Sequence, residues 1–152
     1  MTVPEHDQKV THSYVICYPA HPARKGDPHY KDFNAFRKRT RATAKCAVGQ
    51  HRGDYSECSD VDKWPVGLEL HHSHVEFSLQ NGVDLAWLAI DYPGIDNPDE
   101  VGAWVESAKN LLWLCTFHHR GHGGVHVTSA SDFEAEKYVR RLIVQGRLKQ
   151  ST

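Results

Sequence analysis

The sequence has no apolar run long enough to cross a bilayer. Its first residues, MTVPEHDQK, show neither the basic start nor the apolar centre of a secretory leader. Both absences predict a soluble, cytoplasmic protein that makes no membrane contact, in a compartment where thiols stay reduced. Cysteine is scarce, with four residues: Cys17, Cys46, Cys58 and Cys115. In a reducing compartment a disulfide scaffold is excluded, so three of them read as metal ligands. Cys17, inside the strand-like SYVICY, reads as a small core residue. Repeats and low-complexity segments are also missing. The 152 residues therefore read as one domain with a modest core.

Net charge is small as well, at −1, but it hides a segregation. Residues 24–52 carry nine Lys/Arg against two acids, whereas residues 53–109 carry two against twelve. The basic stretch fits a phosphate-backbone footprint or an ordinary solvated helix face. What the sequence has in excess is histidine, twelve residues, far more than packing requires.

Along the chain, Ser13–Tyr18 predicts a short strand. Asp27-Pro28 is an N-cap and first-turn proline for a helix to about Lys45. That helix turns Tyr30, Phe33 and Phe36 inward and Arg37, Lys38, Arg39, Arg41 and Lys45 outward. Cys46 to Cys58 reads as a polar loop, and Val66–His72 as a strand. Val83, Ala86, Trp87 and Ile90 mark the apolar face of one helix. Asn97-Pro98-Asp99-Glu100 opens another, with Val101, Trp104, Val105 and Ala108 on its face. Ser131 to Glu134 is a capping box for a C-terminal helix over 131–146, with Ala135, Val139 and Leu142 inward and a stop near Gly146.

The chemistry concentrates in NLLWLCTFHHRGHGGVH, residues 110–126, and in LELHH, residues 68–72. Cys115 and His118 have the two-residue gap that lets a thiolate and an imidazole grip one tetrahedral zinc, and His119 must then point elsewhere. His71 and His72 are neighbours on a strand, so they face opposite sides unless the strand ends there. One can hold a metal ion while the other faces a water beside it. Neutral imidazole is the side chain best matched to accept a proton near pH 7.

LELHH, NLLWLC and the spacing from Asn110 through Cys115 to His119 together resemble the HNH endonucleases of the ββα-metal superfamily, over about residues 46–126. The resemblance implies an α+β fold with a ββα-metal core, flanking helices (13–45 and 131–146) and a structural zinc. It makes His71 and His119 ligands of a catalytic divalent ion, His72 the general base, and Asn110 the residue that orients the base-bearing loop. It also implies that Cys46 and Cys58 complete the zinc site of Cys115 and His118. Eleven residues separate Cys46 from Cys58, where the family usually has two, so His51 is an alternative to either. Gly121, Gly123 and Gly124 should cut short the helix after the ligand turn. His122 or His126 can then supply a third ligand, and Val125 and Val127, read as a strand around His126, favour His126.

The function implied is metal-dependent hydrolysis of phosphodiester bonds in nucleic acid, double-stranded DNA in the first place, with Mg²⁺, Mn²⁺, Ni²⁺ or Zn²⁺. Arg37, Lys38, Arg39 and Arg41 are the expected phosphate contacts. The rival is a zinc-stabilised module on the same scaffold that binds nucleic acid or protein without cutting. His6, His12, His21, His29 and His74 read as ordinary histidines.

Overall fold

A computed structural model describes residues 1–143. It is a small α+β domain with one two-stranded antiparallel sheet and six short α-helices among the described residues. In chain order these are α1 (Tyr30–Thr40), α2 (Ala47–Arg52), β1 (Leu68–His72), α3 (Leu85–Asp91), α4 (Pro98–Val105), β2 (Leu111–Cys115), α5 (Thr116–His119) and α6 (Ala130–Ala135). None of the helices is long and apolar enough to cross a membrane.

The sheet sets the geometry of everything that follows. Leu68 pairs with Cys115 and His72 with Leu111, so the double histidine ends one strand where the other begins. Beneath it lies a core of Cys46, Val48, Leu68, Trp113, Leu114 and Cys115. Trp113 is buried there with its indole N–H donating to Thr40 Oγ1 at 2.9 Å, so its polar edge is satisfied and α1 is tied to the sheet.

A second core holds Val101, Trp104 and Val105 of α4 against Val75, Phe77, Leu85 and Leu88. Its helix starts as the sequence predicts: Asn97 Oδ1 accepts from Glu100 N at 2.9 Å and Pro98 follows the cap. The Glu100 carboxylate reaches one residue further out than a capping box requires, accepting from Asp96 N at 2.7 Å. Ala108 lies beyond the end of α4 and is exposed.

Several boundaries differ from expectation. Residues 13–18 form no strand, since neither β1 nor β2 pairs with them, and Cys17 is exposed rather than in the core. The basic helix begins at Tyr30 and ends at Thr40, with a 3-10 turn over Arg41–Thr43. Phe36 is its buried residue, and Tyr30 and Phe33 are half-buried. The stretch between Cys46 and Cys58 is not all loop. It holds α2, closed by Gly53 in the left-handed conformation (φ 67°) that only glycine adopts without strain. Strand β1 starts at Leu68, after an exposed Val66.

Helix α3 turns the other face inward. Asp84 caps it by accepting from Trp87 N at 3.1 Å, and that start directs Leu85 and Leu88 to the core. Trp87 and Ile90 are left 75% and 78% exposed. At the C-terminal end Ser129, not Ser131, is the cap, accepting from Asp132 N at 3.1 Å. The helix stops at Ala135, and Val139 and Leu142 are exposed. The expected stop at Gly146 lies outside the described residues.

His29 joins α1 to α4. Its Nδ1 lies 2.7 Å from Asp32 and its Nε2 2.9 Å from Asp99. Burial by itself would lower its pKa, but the two carboxylates more than offset this and leave it raised above 6.5. A raised folded-state pKa means that the contribution is complete below the unfolded value of about 6.5 and is lost as pH climbs through the folded one. His29→Gln should therefore lose more melting temperature at pH 6 than at pH 8.5. Equal losses at the two pH values would show that the ion pairs contribute nothing.

Candidate metal centres and the histidine held beside them

Among the described residues two groups of ligand-type side chains come together, each with one histidine from the short helix α5. Cys46, Cys58, Cys115 and His118 form the first, a group that can hold a metal ion. His118 Nδ1 lies 3.6 Å from Cys46 Sγ, 3.7 Å from Cys58 Sγ and 3.2 Å from Cys115 Sγ. With metal–sulfur and metal–nitrogen bonds of about 2.3 and 2.05 Å at tetrahedral angles, sulfur and nitrogen ligands sit about 3.5 Å apart. The separations match.

Local structure explains how the set assembles. Cys46 and Cys115 each occupy the extended residue before a helix, and both are fully buried. Cys58 is brought in by the turn from Tyr55, and Gly49 makes room for it. A Cβ on Gly49 would stand 2.9 Å from Cys58 Sγ and 2.4 Å from the Tyr55 ring. Electrostatically the three sulfurs resist being thiolates together. Cys115 is held well below the usual thiol range by its contacts with Cys46 and Cys58. Cys58 is pushed far above that range, first by its contacts with Cys115 and Cys46. Burial alone would depress His118, but its contacts with Cys115 and Cys46 raise it to about 9. A dication relieves all of these repulsions at once. His51 is exposed against Tyr138 and takes no part, so both cysteines keep the places expected of them.

The second group is His71, His119 and His126. Their rings lie 4.8 to 5.3 Å apart between centroids, and His119 Nε2 is 3.1 Å from His126 Nε2. His71 Nδ1 is buried without a hydrogen-bond partner among the described residues. Burial, reinforced by the charges of His126, His119 and His72, lowers His71 to about 3. An imidazole kept neutral is in the form that binds metal. His119 is also lowered, chiefly by burial. Its Nδ1 stands 3.2 Å from Glu69 Oε1, close enough to pair but out of line for a hydrogen bond, which leaves Nε2 facing His126. His126 is the exposed member, so the cluster opens to solvent on its side.

Helix α5 stops at His119, as the glycines predict. Gly124 packs so close that a Cβ would stand 2.5 Å from the His119 carbonyl oxygen, and that approach lets His126 N donate to the same oxygen at 3.2 Å. Val125 and Val127, expected in a strand, lie in a turn. His126 is thus fixed by a tight backbone return rather than by a strand. His122 is exposed and outside the group.

His72 is turned away into a different environment. Its Nε2 is 2.9 Å from Glu106 Oε2, its ring stacks on Phe33 at 5.7 Å, and its Nδ1 is 3.8 Å from Glu76. Glu106 is fully buried and its second oxygen is ion-paired with Arg24. That guanidinium lies over the rings of Tyr30, Phe33 and Phe77. Asn110, also buried, clamps the loop after His72. Its Oδ1 accepts from His74 N at 2.8 Å and Val75 N at 3.0 Å, while Nδ2 donates to Val75 O and Val105 O.

Arg37, Lys38, Arg39 and Arg41 are all exposed on or just after α1, the helix whose Phe33 contacts His72. Sequence reasoning missed Glu69, Glu106 and Arg24. Glu106 had one signal: it is an acid at the C-terminal end of α4, where the helix dipole disfavours negative charge and a cation is needed nearby. Arg24 had none, its partner being 82 positions away. Comparison with family models, with curated proteins and with solved structures finds no match.

Proposed function

We propose that this chain is a metal-dependent endonuclease of the HNH type. The supporting observation is the arrangement around β1. His71 joins His119 and His126 in a three-imidazole cluster, while the next residue, His72, is gripped on Nε2 by the Glu106 carboxylate and has Nδ1 3.8 Å from Glu76. The order β1, β2, α5, with His71 one residue before the end of the first strand and His119 on the helix, supports this reading. The Cys46, Cys58, Cys115 and His118 group is read as a structural zinc site, which leaves the histidine cluster for the catalytic ion.

When bound, that ion would supply charge stabilisation at a non-bridging phosphate oxygen and at the leaving oxygen. The chain's own residues do the rest. His71, His119 and His126 would hold the ion, and the exposed side of His126 would leave a position for substrate. His72 accepts a proton from water at its free nitrogen, and the resulting hydroxide attacks phosphorus. The P–O3′ bond breaks and the leaving oxygen takes a proton from solvent, which gives 5′-phosphate and 3′-hydroxyl ends. Asn110 keeps the loop after His72 in place through its contacts to residues 74 and 75. Double-stranded DNA is the proposed substrate, with Mg²⁺, Mn²⁺, Ni²⁺ or Zn²⁺ as the ion. An all-imidazole set suits Ni²⁺ and Zn²⁺ better than all-oxygen sites do.

Plasmid nicking tests the reading directly: it should require added divalent ion and stop with EDTA. A second expected result concerns α1. Neutralising any two of Arg37, Lys38, Arg39 and Arg41 should weaken binding to all DNA sequences alike and flatten the salt dependence of affinity by about two phosphate contacts. Wild-type affinity and slope in such a variant would reduce α1 to a solvated face.

A further inference from the structure

We propose that Glu106 is the positioning residue of His72: it holds the ring with the proton on Nε2 and leaves Nδ1 as the nitrogen that receives one. The inference rests on the reading of His72 as the base. An ionised carboxylate only accepts hydrogen bonds, so the ring nitrogen 2.9 Å from Glu106 Oε2 must be the protonated one. In a neutral imidazole the lone pair then sits on Nδ1. Among the described residues nothing claims that nitrogen directly, since Glu76 stands 3.8 Å away and is itself partly exposed.

Glu106 cannot easily let go. Its side chain is fully buried, so water does not compete for the carboxylate. Its other oxygen is taken by Arg24, which packs 4.6 Å above both Phe33 and Phe77. Phe33 is also the ring on which His72 stacks, with an interplanar angle of 18°. One unit of Arg24, Phe33 and Glu106 therefore fixes both the plane of the imidazole and which of its nitrogens faces the carboxylate. Neutralising Arg24 does not account for Glu106 by itself, because Asp27 Oδ2 already lies 3.5 Å from the guanidinium and is buried too.

The discriminating readout is the tautomer of His72, seen in two-bond proton–nitrogen correlation spectra of the ¹⁵N-labelled, Zn²⁺-loaded protein. His72→Ala assigns the signal by removing it. In the neutral ring of the wild type, Nε2 should carry the proton and Nδ1 should be bare. In Glu106→Gln the amide both donates and accepts, so the ring should populate both tautomers. On the same reading kcat for plasmid cleavage should fall about tenfold to a hundredfold, the usual worth of an outer carboxylate partner. KM and metal content should change little, and Glu106→Asp, which keeps the charge, should recover part of the loss.

A neutral wild-type ring with its proton on Nδ1 and Nε2 bare overturns the proposal without any variant, which covers the case in which Glu106→Gln does not fold. So does a Glu106→Gln protein with wild-type spectrum and kcat. Failure of the nuclease reading looks different: the wild type cuts nothing with any metal, yet His72 still carries its proton on Nε2. That result would uphold the contact and overturn the function it serves.

Discussion

His72→Ala should lose a factor of about 10² to 10⁴ in DNA cleavage while binding divalent ion and DNA almost as the wild type does. The range is the usual worth of a positioned general base. The variant should fold, because Glu106 keeps Arg24 as its partner and is not left as an unpaired buried charge. His71→Ala should fail in another way. His71 is buried against His119 and His126, so its loss opens the three-imidazole cluster and weakens the ion. Part of its lost rate should return at high metal concentration, whereas no amount of metal should restore His72→Ala. Metal titrations of nicking rate for the two variants separate these outcomes. If His72→Ala cuts at the wild-type rate, the base lies elsewhere. If neither variant nor wild type cuts under any condition, the chain is better described as a zinc-stabilised binding module.

The largest effect on stability should come from the sulfur cluster. Protein stripped of weakly held ion by mild chelation should retain about one zinc per chain. Structural zinc contributes on the order of 10 to 16 kcal/mol of apparent binding energy at neutral pH, against a typical domain stability of about 5 to 15 kcal/mol. Cys115 lies at the end of β2, fully buried in the principal core with Cys46. Cys115→Ser should therefore lose the zinc and the cooperative melting transition together. Cys17→Ser is the control: Cys17 is exposed and outside the cluster, so both properties should be unchanged. Zinc-free protein whose melting is indifferent to strong chelators would remove this centre from the account.

Much of the site could be read from the residues alone, and the reason is locality. The gap between Cys115 and His118 is set by one turn of backbone, so the pair declares itself in four residues. The break of α5 after His119 follows from three glycines within the next five positions. The start of α4 follows from Asn97 and Pro98, whose effects act within a single turn. LELHH alternates as a strand must, which separates His71 from His72 before any coordinates are known.

What the sequence left open was decided by contacts between distant parts of the chain. SYVICY has the composition of a strand, but a strand exists only where another offers hydrogen bonds, and neither β1 nor β2 pairs with it. The face of α3 was ambiguous because seven residues carry apolar side chains on both sides. Its cap at Asp84 and the position of the α4 core turned Leu85 and Leu88 inward and left Trp87 outside. Cys46 and Cys58 are joined to Cys115 by tertiary packing across 57 to 69 positions, which no local pattern encodes. The placement of His126 by a close backbone return also depended on the fold. So did the carboxylate behind His72, because Glu106 meets its imidazole from 34 positions away and its guanidinium from 82. Ligand spacing and helix caps act within a turn and can be read in order. Partner choice is set by which surfaces the folded chain buries together, and only the tertiary structure settles it.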